Sequence, residues 1–165
     1  MMAEAAYGAA PGAKLRFLAD TVIAEAEHLK TTDARLFVEP MTTARAASLR
    51  TDIDLAERTD AFVARFGRLQ DTLADKLLPE LLQWLAEPVG PAIDNLNRAE
   101  RLGWIASVDA WLEVRRLRNR MIHKHVRDAA ELAAALSTAH AAVPLLDSTA
   151  HAMARRTVPD PPIGA

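Results

Sequence analysis

From Leu15 to Met153 the apolar side chains of this chain recur at intervals of three and four residues, and nowhere do they alternate as a half-buried strand requires. That regularity makes an all-α fold the expectation. Leu15, Leu18, Val22, Ala26 and Leu29 trace one face of a first helix, broken by Thr31, Thr32 and Asp33. Leu36, Phe37 and Val38 precede Pro40, and because residues before proline avoid the α region a short, non-helical linker is expected there. A longer helix should start between Thr42 and Asp54, capped by Ser48 or Thr51, and run through Leu55, Phe62, Phe66, Leu69, Leu73 and Leu77. Pro79 predicts a kink or a fresh helix with the proline in its first turn.

Glu87-Pro88-Val89-Gly90-Pro91 is firm punctuation. Residues 92–103 read as a short helix closed by Gly103 in a left-handed cap. Ser107 is the expected N-cap of the next helix, with Asp109 in its first turn. Along it Val108, Trp111, Leu112, Arg115, Asn119 and Ile122 fall close to one face, which turns polar toward its C-terminal end. Asp128 and Glu131 have capping-box spacing and open a last helix bearing Leu132, Leu136, Val143, Leu146 and Met153, kinked at Pro144. Trp84, Trp104 and Trp111 are expected in the core. The expected architecture is an up-and-down bundle of four to five helices over 14–156, with a flexible leader at 1–13 and a disordered, proline-rich tail at 157–165.

Several function classes drop out on composition. The chain has no cysteine, so disulfides, thiolate zinc sites and a cysteine nucleophile are excluded. Its six glycines form no phosphate-binding loop, which argues against a nucleotidyltransferase, kinase or dinucleotide enzyme. His-Glu-x-x-His is absent, His28, His140 and His151 stand apart, and no metal or cofactor is expected. No apolar run approaches the roughly 20 residues that span a bilayer, and the N-terminus lacks the pattern of a signal peptide, so a cytoplasmic protein without a membrane partner is expected. With a net charge of -2, any binding of a polyanion must come from a local patch.

One patch fits. Arg115, Arg116, Arg118, Arg120, Lys124 and Arg127 lie together with His123 and His125, and no acidic residue interrupts them. Arginine five residues ahead of histidine, Arg-x4-His, is weak evidence, since about half an occurrence is expected by chance; adding asparagine after the arginine lowers the expectation to roughly 0.01. Only Arg118-Asn119-x3-His123 meets it. Asn119 and His123 share a helical face, while Arg118 is about 140° around from His123, so a kink or a second copy of the chain would bring the two to one phosphate more easily. Arginine's planar fork suits phosphodiester oxygens and the added charge of a pentavalent transition state. A histidine near its reference pKa can take the proton of a ribose 2′-hydroxyl or give one to the leaving 5′-oxygen. Asn119 would orient the histidine or the phosphate. The other five cations, Arg115, Arg116, Arg120, Lys124 and Arg127, would position an RNA backbone, although cations also gather at helix C-termini for the dipole alone.

Arg118-Asn119-Arg120-Met121-Ile122-His123, on the penultimate long helix of a small all-α chain and preceded by Trp111 and Leu112, resembles the HEPN superfamily. Within it the likeness is to the HepT-like toxins and nucleotidyltransferase substrate-binding proteins, over about 14 to 155 in helix order. The resemblance implies a homodimer whose paired motifs form a composite, metal-independent RNase site, with Arg118 and His123 catalytic and Asn119 in support. It also implies a minimal nucleotidyltransferase as partner and antitoxin. Alternatively, a member of this group serves that enzyme as a non-catalytic subunit binding nucleotide or substrate. The HepT-like pattern continues His-x-Tyr, the tyrosine accepting the partner's modification, whereas this chain has His125 there.

Overall fold

The computed structural model describes residues 12–123 and 128–157. Most of the expected leader and tail lies outside them, as do Lys124, His125, Val126 and Arg127. Among the described residues every regular element is helical. The elements are α1 (Ala13–Leu36), α2 (Thr43–Ala47) with a tight turn at Ser48–Arg50, α3 (Ile53–Asp71), a π turn (Thr72–Leu77), α4 (Leu78–Trp84), α5 (Ala92–Arg101), α6 (Val108–His123) and α7 (Ala129–Arg155). With α3, the π turn and α4 counted as one rod, this makes six helical units, against the four to five expected. The extra unit is α2, too short to show a period and held by the Thr42 hydroxyl accepting the Arg45 N–H.

Helix α1 runs past its expected end. The Thr31 and Thr32 hydroxyls do not break it, because each donates to the carbonyl four residues back, on Glu27 and His28. Pro40 restricts only its neighbour Glu39, so Leu36 stays helical and buried, and no extended linker forms from it. The cap of α3 is Asp52, whose carboxylate accepts the Leu55 N–H at 3.0 Å, in place of Ser48 or Thr51. Ser107 does cap α6, accepting from Ala110, and Asp128 caps α7, accepting from Ala130 and Glu131. Gly103 adopts the expected left-handed conformation, with φ at 76°.

Pro79 leaves the rod unbroken and changes its pitch. Its ring would meet the Asp75 carbonyl in a regular α-helix, and it brings no N–H to that acceptor. Widening the helix into a π turn over Thr72–Leu77 resolves the conflict just ahead of the proline. Helix α7, likewise, continues through Pro144 without interruption. It is the one described helix long and apolar enough to cross a membrane, by length and composition only, and it packs along α1, α2 and α6 as a core helix does.

Paired residues show how the long helices run. Arg65 meets the His28 carbonyl and Arg58 that of Arg35, so α1 and α3 are antiparallel. Asp33 with His140 and Lys30 with Asp147 set α7 antiparallel to α1. A single apolar core joins Leu29 and Leu36 of α1, Phe62 and Phe66 of α3, Trp111 and Leu117 of α6, and Leu136 and Leu146 of α7. Trp104 and Trp111 are buried as expected. Trp84 is 43% exposed and stays outside the core, with its ring against Gly12 at the start of α1. Thr157, assigned to the tail by sequence, is buried.

Candidate functional site

Helix α6 presents a different face to the core from the one its sequence predicts. Val108, Trp111, Val114, Leu117 and Met121 are buried, while Ile122 is 49% exposed and Asn119 is exposed. The stripe advances mainly in steps of three, so it turns away from Arg115 and Asn119 toward Val114 and Leu117. The consequence is that Arg118 sits at the border between core and solvent, next to Leu117, facing α3.

Three features of α3 and the π turn hold Arg118 there. Gly67 leaves room for its stem: a Cβ on Gly67 would come within 2.7 Å of the Arg118 Nε. Asp71 accepts a hydrogen bond from Nη1 at 2.9 Å. One turn away, Asp75 pairs with Arg115 at 3.3 Å, so two carboxylates four residues apart meet two arginines three apart on the antiparallel helix. Both pairs are partly solvated, and such pairs add little to stability; what they fix is direction. The Arg118 Nε is shut from solvent without an acceptor, an unpaired donor that a nearby anion would satisfy after a small movement.

The guanidinium opens onto a groove of about 530 Å³ lined by Asp60, Val63, Ala64, Gly67, Arg118, Met121 and Ile122. Its wall is mostly apolar, with Arg118 as its cation. Asp71 uses one N–H, so the Nη2 edge remains for a phosphate oxygen. The side chain of Asn119, on the next position of the helix, makes no hydrogen bond among the described residues. His123 is the last residue of α6; its side chain lies outside the described set. Because α6 is regular through His123, the backbone positions of Arg118 and His123 remain about 140° apart within one chain.

The remaining cations divide. Arg115 is tied to Asp75, and Arg116 to Glu113 on its own helix. Arg120 is exposed and borders a separate groove with Glu131, Ala134, Ala135 and Thr138. Lys124 and Arg127 lie outside the described residues. The structure therefore brings Arg115 and Arg118 to one surface and turns Arg116 and Arg120 elsewhere.

Sequence reasoning missed Gly67, Asp71 and Asp75. Gly67 carried a signal, because glycine inside a strong helical pattern costs about 1 kcal/mol against alanine and commonly marks a close approach. The acids carried none, since their pairing depends on how two distant helices meet. Behind the π turn, burial pushes the Glu25 carboxyl above its usual range, against the lowering effect of the Thr72 hydroxyl and of Arg68, Lys76 and His28. That Thr72 hydroxyl donates to Glu25 at 3.2 Å and to the Arg68 carbonyl at 2.9 Å.

The isolated histidines also have partners. His140 stacks on Phe37 and meets Asp33 at 2.7 Å. His151, Asp147 and Glu27 bring ligand atoms within 4.8 Å of one another, but the Lys30 ammonium already lies 3.2 Å from Glu27 and 3.5 Å from Asp147. The chain's own cation therefore already sits between the two acids. No protein-family model, curated protein or solved structure matches this chain.

Proposed function

We propose that this protein is a HEPN-like, metal-independent endoribonuclease whose site is completed by a second copy of the chain, so that Arg118 of one protomer and His123 of the other act on one phosphodiester. The observation that carries this reading is the fixed, groove-facing guanidinium of Arg118, one residue before an unengaged Asn119 and five before His123. Arg118 would stabilise the charge of the pentavalent phosphorus, His123 would take the 2′-hydroxyl proton, and Asn119 would orient one of them. The 140° separation within one helix argues for the dimer, since two residues so placed reach one phosphate more easily from two chains than from one. The exposed Ile122 and apolar wall beside Arg118 offer area for a second copy. Under this reading the bundle is a homodimeric toxin, and its antitoxin a minimal nucleotidyltransferase.

The test is cleavage of single-stranded RNA with a chelator present. His123→Ala should lower the rate by about two to four orders of magnitude. Mixing His123→Ala with Arg118→Ala chains should restore part of it, because one of the two composite sites in a mixed dimer keeps both residues. Unchanged cleavage by either single variant, or a requirement for added divalent metal, sinks the mechanism.

A second reading is favoured by the Asp71 carboxylate, which already compensates Arg118, and by His125 in place of the family tyrosine. In it the chain is a non-catalytic subunit that presents nucleotide or substrate to a separately encoded nucleotidyltransferase. Co-purification with such an enzyme, together with no cleavage by the free chain, would decide for it.

A further inference from the structure

The C-terminal half of α1 and the N-terminal half of α3 enclose a second cleft, of about 500 Å³, lined by Thr32, Arg35, Asp54, Glu57, Arg58, Ala61 and Arg65. Three arginines meet there, and none forms an ion pair among the described residues. Arg65 donates to the His28 carbonyl at 3.2 Å and to the Thr32 hydroxyl. Arg58 donates to the Arg35 and Asp54 carbonyls, both at 3.3 Å. Arg35 makes no side-chain hydrogen bond among the described residues.

A carbonyl satisfies an N–H but leaves the cation's charge in place. Asp54 and Glu57 share the cleft without pairing to these arginines, so its formal balance is three positive against two negative. Arg58 Nη2, Arg65 Nη2 and the whole Arg35 fork therefore keep donors in a concave surface that concentrates their field. The acceptors anchoring Arg58 and Arg65, on Arg35 and His28, are seven residues apart on α1, about 10 Å along its axis. That span exceeds one phosphate and suits a chain carrying several.

This cleft adjoins the Arg118 groove. Glu57, Ala61 and Arg65 line one, Asp60, Ala64 and Gly67 the other, and the two stripes are about 90° apart around α3. We infer that the three-arginine cleft is a second phosphate-binding site, holding the sugar-phosphate backbone of a single RNA strand that crosses α3 from the Arg118 groove. This rests on the RNA reading above, and it assigns Arg35, Arg58 and Arg65 to positioning the strand away from the cleaved bond.

The experiment measures binding of a fully 2′-O-methylated single-stranded RNA, which has no nucleophile, over a range of salt concentrations. Arg35→Ala is the informative variant, because its side chain holds nothing in place. Arg16→Ala is the control, an exposed arginine on the same helix about 28 Å away along the axis. Loss of one phosphate contact should lower the salt slope by about 0.7 and weaken binding about fivefold at 0.1 M salt, with Arg16→Ala unchanged. Equal losses in both variants would mean diffuse attraction, and no loss in Arg35→Ala, or no binding by the unmodified chain, would mean no strand site; each overturns the inference. Arg35-dependent binding of inorganic pyrophosphate without Arg35-dependent RNA binding overturns it too, in favour of a small phosphate ligand. Cleavage unaffected by Arg35→Ala at any RNA concentration would remove the cleft and leave the motif standing. Arg35-dependent binding without cleavage would do the reverse.

Discussion

The two grooves flanking α3 are both lined by arginine, yet they treat the charge in opposite ways. On the α6 side Arg118 is tied to a carboxylate, lies over a glycine and has one donor buried. On the α1 side Arg58 and Arg65 are tied to carbonyls, and Arg35 is tied to nothing among the described residues. A carboxylate fixes direction and cancels charge; a carbonyl fixes direction and leaves the charge available. The first arrangement suits a guanidinium that must meet one atom at a defined angle. The second suits guanidiniums that must attract and hold a chain in more than one register.

Replacement of Arg118 by alanine is the strongest way to break this contrast. It should lower the RNA cleavage rate at saturating substrate by about 10²–10³-fold, the usual cost of losing one donor to a transition-state oxyanion. Arg35→Ala should leave that saturated rate unchanged and raise only the RNA concentration needed to reach it. Equal effects on both parameters from both variants would erase the distinction.

Gly67→Ala sharpens it. The added methyl must push the Arg118 stem aside, and a displacement of that size should cost up to about 10²-fold in rate. Alanine's helix propensity recovers about 1 kcal/mol, so thermal stability should stay close to that of the parent. A fully active Gly67→Ala chain would show that the placement of Arg118 does not matter.

The smallest effect concerns Glu25, which backs the π turn beneath Asp71. Burial raises its folded pKa above the unfolded value, so folding is favoured most below the ordinary carboxylate range and loses ground as pH rises through the raised value. Glu25→Gln removes that loss. Its melting temperature should exceed the parent's at pH 7 by a few degrees at most, because the carboxyl is only partly buried and solvent screens it, and match it near pH 4. A gain of equal size at both pH values would point away from ionisation.

The all-helical fold was legible because its apolar residues keep a helical period over long stretches, and Ser107, Asp128 and Gly103 cap where local chemistry says they should. What escaped was tertiary. The phase of α6 depended on which of two adjacent stripes, one through Leu117 and one through Asn119, met the core; both are possible where the second half of the helix is mostly polar. Asp71, Asp75 and the cleft of Arg35, Arg58 and Arg65 are pairings across helices far apart in sequence, which no local pattern encodes. Ser48 and Thr51 were passed over for Asp52 because the chain takes a short extra helix, α2, before turning into α3.

The π turn has a consequence for what lengths of chain this fold tolerates. Leu69, Leu73, Leu77 and Leu81 are successive steps of four, which in an α-helix would drift by about 40° each and leave the core within two turns. They all remain buried because the wider turn takes up the surplus. Deleting one residue between Thr72 and Leu77 would therefore restore a regular helix with its halves in phase, whereas keeping all six in plain α form would turn one half of the rod against the other by about 100°. Asp71 and Asp75 could then no longer meet Arg118 and Arg115 while the leucines kept their places. In this segment the pitch of the helix, more than the identity of its residues, aims the arginine.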